Sequence, residues 1–238
     1  MPAATEPAEP VPYFFASEID GDEVRITGDD ARHLAGPLRA RAGELIEVVE
    51  VAGRLLGVRL RSVSMRAVVG SIEWSREHRP EPHSAVWLAI AMLPAAGLEH
   101  VLSRATELGV AGFFLIKAER SVARGDKHAR WATISREAAM LAGRLVVPEI
   151  IGPVGLHELA PRGPLVLLDR EAPRRLAEVA AGSAPGASTL AIGPEGGWSP
   201  GELERAGAGI ASLGPRNLRA DTAALAAVTV WLSNQADL

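Results

Sequence analysis

The hydrophobic rhythm of this chain changes once, at "SREHRPEPHS" from Ser75 to Ser84, and that change constrains the fold more than any other feature. Ahead of it, the stretches "EVRIT", "LIEVVEV", "RLLGVRLRSV" and "AVVGSIEW" alternate Val, Ile and Leu with Arg and Glu. Period two is the signature of half-buried strands, so a small β-domain is predicted for residues 13–76. One stretch, "DDARHLAGPLRA", reads as a helix capped by Asp29 or Asp30. Behind the change, short apolar runs alternate with helical repeats. "AVWLAIAML", "GFFLIKA", "LVLLD" and "TLAI" read as buried strands. "LEHVLSRATELG" reads as a helix with Leu98, Val101, Leu102, Ala105 and Leu108 on one face, ended by Gly109. Further helices are predicted near Lys127–Gly143 and over "TAALAAVTVWLSNQ". Such alternation implies an α/β domain, residues 85–238, with a parallel sheet covered on both faces. The prolines of the changeover fit neither a helix nor a central strand, so residues 77–84 are read as a linker.

The chain contains no cysteine, which excludes disulfides, thiolate metal sites and cysteine nucleophiles. The longest apolar run is too short to span a bilayer, and the acidic, Pro-rich start is unlike a signal peptide. A cytoplasmic protein with a disordered leader at residues 1–12, and no membrane partner, is expected. The net charge of -4 hides an uneven distribution. The first 23 residues hold six acids and no base, whereas Val24–Arg79 holds ten arginines against seven acids, and Lys117–Arg144 seven bases against three. Two basic segments remain once the start is set aside, read as solvated faces or as nucleic-acid contacts.

The chemistry concentrates at "LAIGPEGGWSPGELERA". A buried strand ends at Ile192, and a helix begins within "SPGE": Ser199 fits the N-cap, Pro200 the first helical position, and Glu202 the acceptor of a capping box. The glycine loop therefore lies at the C-terminal end of a strand, where open α/β sheets bind ligands. Gly193, Gly196 and Gly197 would let backbone amides approach a ligand, or serve a tight strand-to-helix connection. The spacing is neither a dinucleotide fingerprint nor a P-loop. A second loop, "LGPRNLRADTAAL", leads into the last helix with Asp221 or Thr222 as N-cap. The six histidines show no ligand spacing, so no metal is expected.

"IGPEGGWSPGE" followed by "LGPRNLRADTA", with "ATELGV" at Ala105 and "ERSV" at Glu119, resembles the SPOUT class of RNA methyltransferases. Within it, the resemblance is to the family that methylates N3 of a uridine in small-subunit (16S) ribosomal RNA. The chain differs from that family's usual pattern at Tyr13, Pro94, Met140-Leu141-Ala142, Asn217 and Asp221. The resemblance implies a PUA-like β-barrel followed by a trefoil-knot α/β domain, a homodimer, and S-adenosylmethionine as cofactor. Its binding residues would be Leu168, Ile192, Gly193, Pro194, Glu195, Gly196, Gly197, Leu213, Gly214, Asn217 and Leu218. Ribosomal RNA or the small subunit would be the partner, touched by His33, Arg39, Arg41, Arg120 and Arg144. Uracil N3 carries a proton at neutral pH, so Arg219 is a candidate to stabilise the anion on O2 and O4, or else a structural phosphate contact or a salt-bridge partner of Asp221 or Glu195. Glu195 and Asp221 are candidate bases, or simply helix-start acids. A relative acting on another RNA, or a non-catalytic RNA-binding assembly protein, is the alternative.

Overall fold

The computed structural model describes residues 12–122, 125–205 and 209–238, so all but Pro12 of the expected leader lies outside the described residues. The chain forms two compact units that divide at Glu81/Pro82, inside the stretch read as a linker; the segment Ala139–Val146 groups with the first unit.

The first unit contains β1 (Phe14–Phe15), β2 (Glu18–Asp20), β3 (Glu23–Thr27), α1 (Gly28–Ala35), β4 (Leu45–Glu50), β5 (Arg54–Val63) and β6 (Ala67–Glu77). They make a six-stranded sheet in the order β1-β4-β5-β6-β3-β2. Neighbours are antiparallel except β1 and β4. Alternation along the strands buries Val24, Ile26, Val48, Leu56, Val58, Leu60 and Val68 against Phe14, Leu34 and Met140. Register shifts at Gly57/Val58 and Leu60/Ser62 interrupt the β5–β6 ladder, and such irregularities sharpen the twist of a sheet. The start of α1 differs from the sequence reading. Its N-cap is Thr27, without a side-chain cap bond, and Asp30 is buried and accepts the N–H of Phe15 at 3.2 Å. The helix also ends at Ala35, so Arg39 and Arg41 belong to the connection to β4.

The second unit contains β7 (Val86–Ala91), α2 (Ala95–Glu107), β8 (Gly112–Ile116), α3 (His128–Leu141, its last residues in the first unit), β9 (Glu149–Val154), β10 (Leu165–Leu168), α4 (Leu176–Ala181), β11 (Ser188–Ile192), α5 (Pro200–Arg205), β12 (Gly209–Ala211) and α6 (Ala220–Asn234). The sheet order is β12-β10-β11-β7-β8-β9, and every pairing is parallel. Continuous apolar runs suit strands covered on both sides. One face packs Leu88, Ile90, Phe113, Leu115 and Leu190 against Leu98, Val101 and Leu102 of α2 and Ala224, Val228 and Trp231 of α6. The other packs Ala89, Ala91, Phe114, Ile116 and Ala191 against Trp198 and Leu203. Gly109 ends the α2 turn with φ +100°, and a Cβ there would stand 2.6 Å from Pro82.

The last turn of the chain is tied back to the start of this unit. Asp237, its side chain 1% exposed, accepts the N–H groups of His83 and Ser84 at 2.8 and 2.9 Å and contacts the His83 ring at 3.0 Å. Burial alone would raise its pKa, but the hydrogen bonds outweigh it, so the carboxylate titrates below the usual aspartate range. A depressed folded pKa stabilises the fold above the unfolded value of about 4, and that contribution disappears as pH falls through the folded value. Asp237→Ala is therefore predicted to cost about 2 kcal/mol at pH 7 by urea denaturation, with the gap to wild type closing toward pH 3. An equal gap at both pH values would assign the effect to packing instead of charge.

Candidate functional site

The capping box at the glycine loop forms as the sequence predicts. Ser199 N–H donates to Glu202 Oε2 at 2.9 Å, and Glu202 N–H donates to Ser199 Oγ at 3.1 Å. Glu202 does more than cap, because its carboxylate is buried and its Oε1 accepts the N–H of Glu119 at 2.9 Å. The next residue, Arg120, reaches the loop from the same side. Its Nη1 donates to the carbonyls of Gly196 and Trp198 at 2.9 and 3.2 Å. On the opposite flank, the Trp198 indole N–H donates to the carbonyl of Leu168 at the end of β10, at 3.2 Å. The glycine loop is thus held by the segments that follow β8 and β10.

Close approach leaves little space beside two of the glycines. A Cβ on Gly193 would stand 3.2 Å from the Trp198 ring, and one on Gly196 3.3 Å from Arg120 Cβ. Gly197 has φ +68° and donates its N–H to the Pro194 carbonyl at 2.8 Å, which closes the turn.

These contacts shape a cavity of about 420 Å³ at the C-terminal ends of β10 and β11, walled by the glycine loop, the Asp169–Glu171 segment and the loop after β12. Its size suits a cofactor-sized molecule. Leu168, Ile192, Gly193, Pro194, Glu195, Gly196, Gly197, Leu213, Gly214, Asn217 and Leu218 all line it. Arg120, Asp169, Arg170, Glu171, Trp198, Arg216, Ala220 and Ala223 complete the wall. Asp169 is the last letter of "LVLLD", so a carboxylate at a strand's end was the available signal for it.

The candidate catalytic residues are not all in one place. Glu195 lines the cavity and is exposed. Arg219 occupies the N-cap position of α6, its side chain 79% exposed and its guanidinium 3.4 Å from Asp221. Asp221 accepts the N–H of Thr222 at 2.7 Å. Neither Arg219 nor Asp221 is part of the cavity wall, although Ala220 and Ala223 beside them are.

Two arginines read as RNA contacts have structural work. Arg144 is 3% exposed and doubly bonded to Glu81, with Nη2 2.5 Å and Nε 3.0 Å from Oε2. Glu81 also accepts the N–H of Leu145 at 2.8 Å, so Arg144 is buried where it cannot grip a phosphate. Arg120 is spent on loop carbonyls, as described. Arg39 and Arg41 are exposed and His33 is half-buried beside Phe14. Among the ten arginines of Val24–Arg79, Arg25, Arg32, Arg54, Arg59, Arg61 and Arg79 pair with carboxylates, which Arg39 and Arg41 do not among the described residues. Among the described residues, no group of three or more His, Asp or Glu side chains is placed to hold a metal ion. No described helix is long and apolar enough to cross a membrane.

Residues 79–232 match the family model of the RNA methyltransferase domain. The chain is 33% identical over 234 residues to ribosomal RNA small subunit methyltransferase E of Bacillus subtilis, a match covering 90% of each chain. It is 32% identical over 226 residues to the protein of the same name from Mycobacterium tuberculosis, covering 85% of this chain and 83% of that one. Among solved structures, ribosomal RNA small subunit methyltransferase E from Neisseria gonorrhoeae bound to S-adenosyl methionine is similar at a TM-score of 0.81 and 27% identity, covering 93% of this chain and 97% of that one. A putative methyltransferase from Legionella pneumophila in complex with the same cofactor gives 0.76 and 26%, covering 93% and 96%. With the family model spanning most of the chain and relatives aligned across both units, this protein belongs to the RNA methyltransferase family that includes ribosomal RNA small subunit methyltransferase E.

Proposed function

We propose that this protein is an S-adenosylmethionine-dependent methyltransferase acting on N3 of a uridine in small-subunit (16S) ribosomal RNA. The observation that carries the reading is the cavity walled by Ile192–Trp198 and Leu213–Leu218, where Gly193, Gly196, Gly197 and Gly214 present backbone without side chains. The backbone of both loops would hold the cofactor's adenosine and amino-acid parts, and Leu168, Ile192, Leu213 and Leu218 would bury its apolar faces. The cofactor, when bound, supplies an electrophilic methyl group on a sulfonium. What remains for the chain is to orient the uracil, take up the N3 proton, and stabilise the charge left on O2 and O4. Arg219 is the candidate for the last task, because a guanidinium donates from a planar fork and stays charged. Glu195, at the cavity wall, and Asp221, beside Arg219, are the candidate bases.

The entry of β11 between β7 and β10, with Leu213–Leu218 returning beside the glycine loop, supports a trefoil-knotted path. The six-stranded sheet ahead of it supports a PUA-like RNA-binding domain, with Arg39 and Arg41 as its exposed cations, in a cytoplasmic enzyme. A homodimer is supported by α6, which buries Val228, Trp231 and Leu232 yet leaves Leu225, Ala226 and Val230 half-exposed.

Calorimetry should detect S-adenosylmethionine binding by the intact chain. Gly196→Val, which forces a branched side chain against Arg120, and Arg120→Ala, which frees the loop carbonyls, should each weaken it tenfold or more. Binding that is absent in wild type would leave a non-catalytic RNA-binding protein. Arg219→Ala should slow single-turnover methylation roughly a hundredfold with cofactor affinity little changed, and Arg219→Lys should restore only part of the rate. Equal rates for wild type and the Ala variant would make Arg219 a partner of Asp221 alone. Light scattering at micromolar concentration should report the mass of two chains; one chain would make α6 a monomer's core helix.

A further inference from the structure

We propose that the second unit carries its own phosphate-binding subsite beside the cofactor cavity, built from Arg175 and Arg216 with the exposed Arg174 next in the chain adding charge, which takes a phosphodiester next to the target nucleotide. The inference rests on the methyltransferase reading and adds a part of the RNA grip to it.

A second cavity, of about 410 Å³, shares Arg170, Glu171 and Gly214 with the first. The first is already of cofactor size, so the second is additional space opening from the same site. Arg175 forms its wall, with Nη1 2.8 Å from where a Cβ on Gly214 would stand. Glycine at 214, with φ +119°, is what lets the guanidinium lie against the second cofactor loop. Arg216 follows two residues later and faces the cofactor side.

The arginine pair is held by its backbone. Ser212 N–H donates to the Arg174 carbonyl at 2.9 Å and Leu176 N–H donates to the Ser212 carbonyl at 2.9 Å, so Arg175 pairs with Ser212 as an isolated parallel bridge. Two exposed cations are thereby anchored at the end of β12, where free loop residues would lose more entropy on binding.

Charge bookkeeping separates these arginines from their neighbours. Arg170 pairs with Glu171 at 2.8 Å and Arg219 with Asp221 at 3.4 Å. Arg174, Arg175 and Arg216 form no ion pair among the described residues, and all three are exposed. Arg175 on the wall of the second cavity and Arg216 on the wall of the first flank Gly214, and unneutralised guanidinium groups so placed suit an anion with several oxygens, a planar fork suiting phosphate in particular. Where a nucleotide's base enters the neighbouring cavity, the anion next to it is the RNA backbone.

The test uses the full chain, a transcript of small-subunit ribosomal RNA, and titrations from low to high KCl. Arg174→Ala/Arg175→Ala should bind the RNA at least tenfold more weakly, with the slope of log K against log salt reduced by about 1 to 2. S-adenosylmethionine affinity should stay within about twofold, since those side chains lie outside the cofactor cavity. A double Lys variant keeps the charges and should keep the slope, which separates charge loss from misfolding. Unchanged RNA affinity and slope would overturn the proposal. So would loss of cofactor binding with RNA binding retained, which would assign the arginines to the cofactor itself. Millimolar inorganic phosphate binding to wild type, with RNA binding indifferent to both variants, would mark a free-anion site and also overturn it. Failure of wild type to bind cofactor at all would overturn the methyltransferase reading, an outcome separable from the others because it needs no variant.

Discussion

The buried carboxylate of Glu202 is the joint on which the cavity depends. A carboxylate is not buried without compensation, and here backbone N–H groups from two different segments supply it: Ser199 at the start of α5 and Glu119 after β8. Each charge-assisted bond contributes roughly 1.5–3 kcal/mol, and loss of the acid would leave both donors without their partner. Arg120 completes the joint from its neighbouring position by donating to the carbonyls on the far side of the turn. A loop with three glycines in five residues has much conformational entropy to lose. Its shape is set from outside, by an acid and a base on adjacent segments, before any ligand arrives.

That arrangement follows from the parallel sheet. Parallel strands deliver their following loops to the same edge, so the segments after β8, β10, β11 and β12 converge without needing to be close in sequence. The apolar contacts of Leu88, Ile90, Leu190 and their neighbours hold the strands in register, and Trp198 links β10 to the glycine loop through a single indole hydrogen bond. Packing on one side of the sheet and polar contacts at its end therefore cooperate in one cavity.

Arginine dominates the chain's bases, yet its members do different jobs. Among the described residues, Arg144 is sealed against Glu81, Arg120 braces a loop, six in the first unit pair with surface acids, and Arg174, Arg175 and Arg216 form no ion pair. A charge count along the chain treats them alike, because it records neither burial nor partners. Surface pairs contribute little to stability, whereas a cation without a partner keeps its full attraction for an anion.

The sequence by itself determined the parallel sheet with its helices and the capping box at Ser199 and Glu202. These are local properties: period, turn chemistry and cap residues operate within a few positions of one another. The short strands β9 and β12, the true start of α1 at Thr27 and the bond from Asp237 to the linker were not legible, because each exists only through partners far along the chain. For the same reason Arg144 and Arg120 resembled surface cations. The tertiary structure alone decided which charges face water, since a guanidinium's role depends on the acid or carbonyl that folding brings to it.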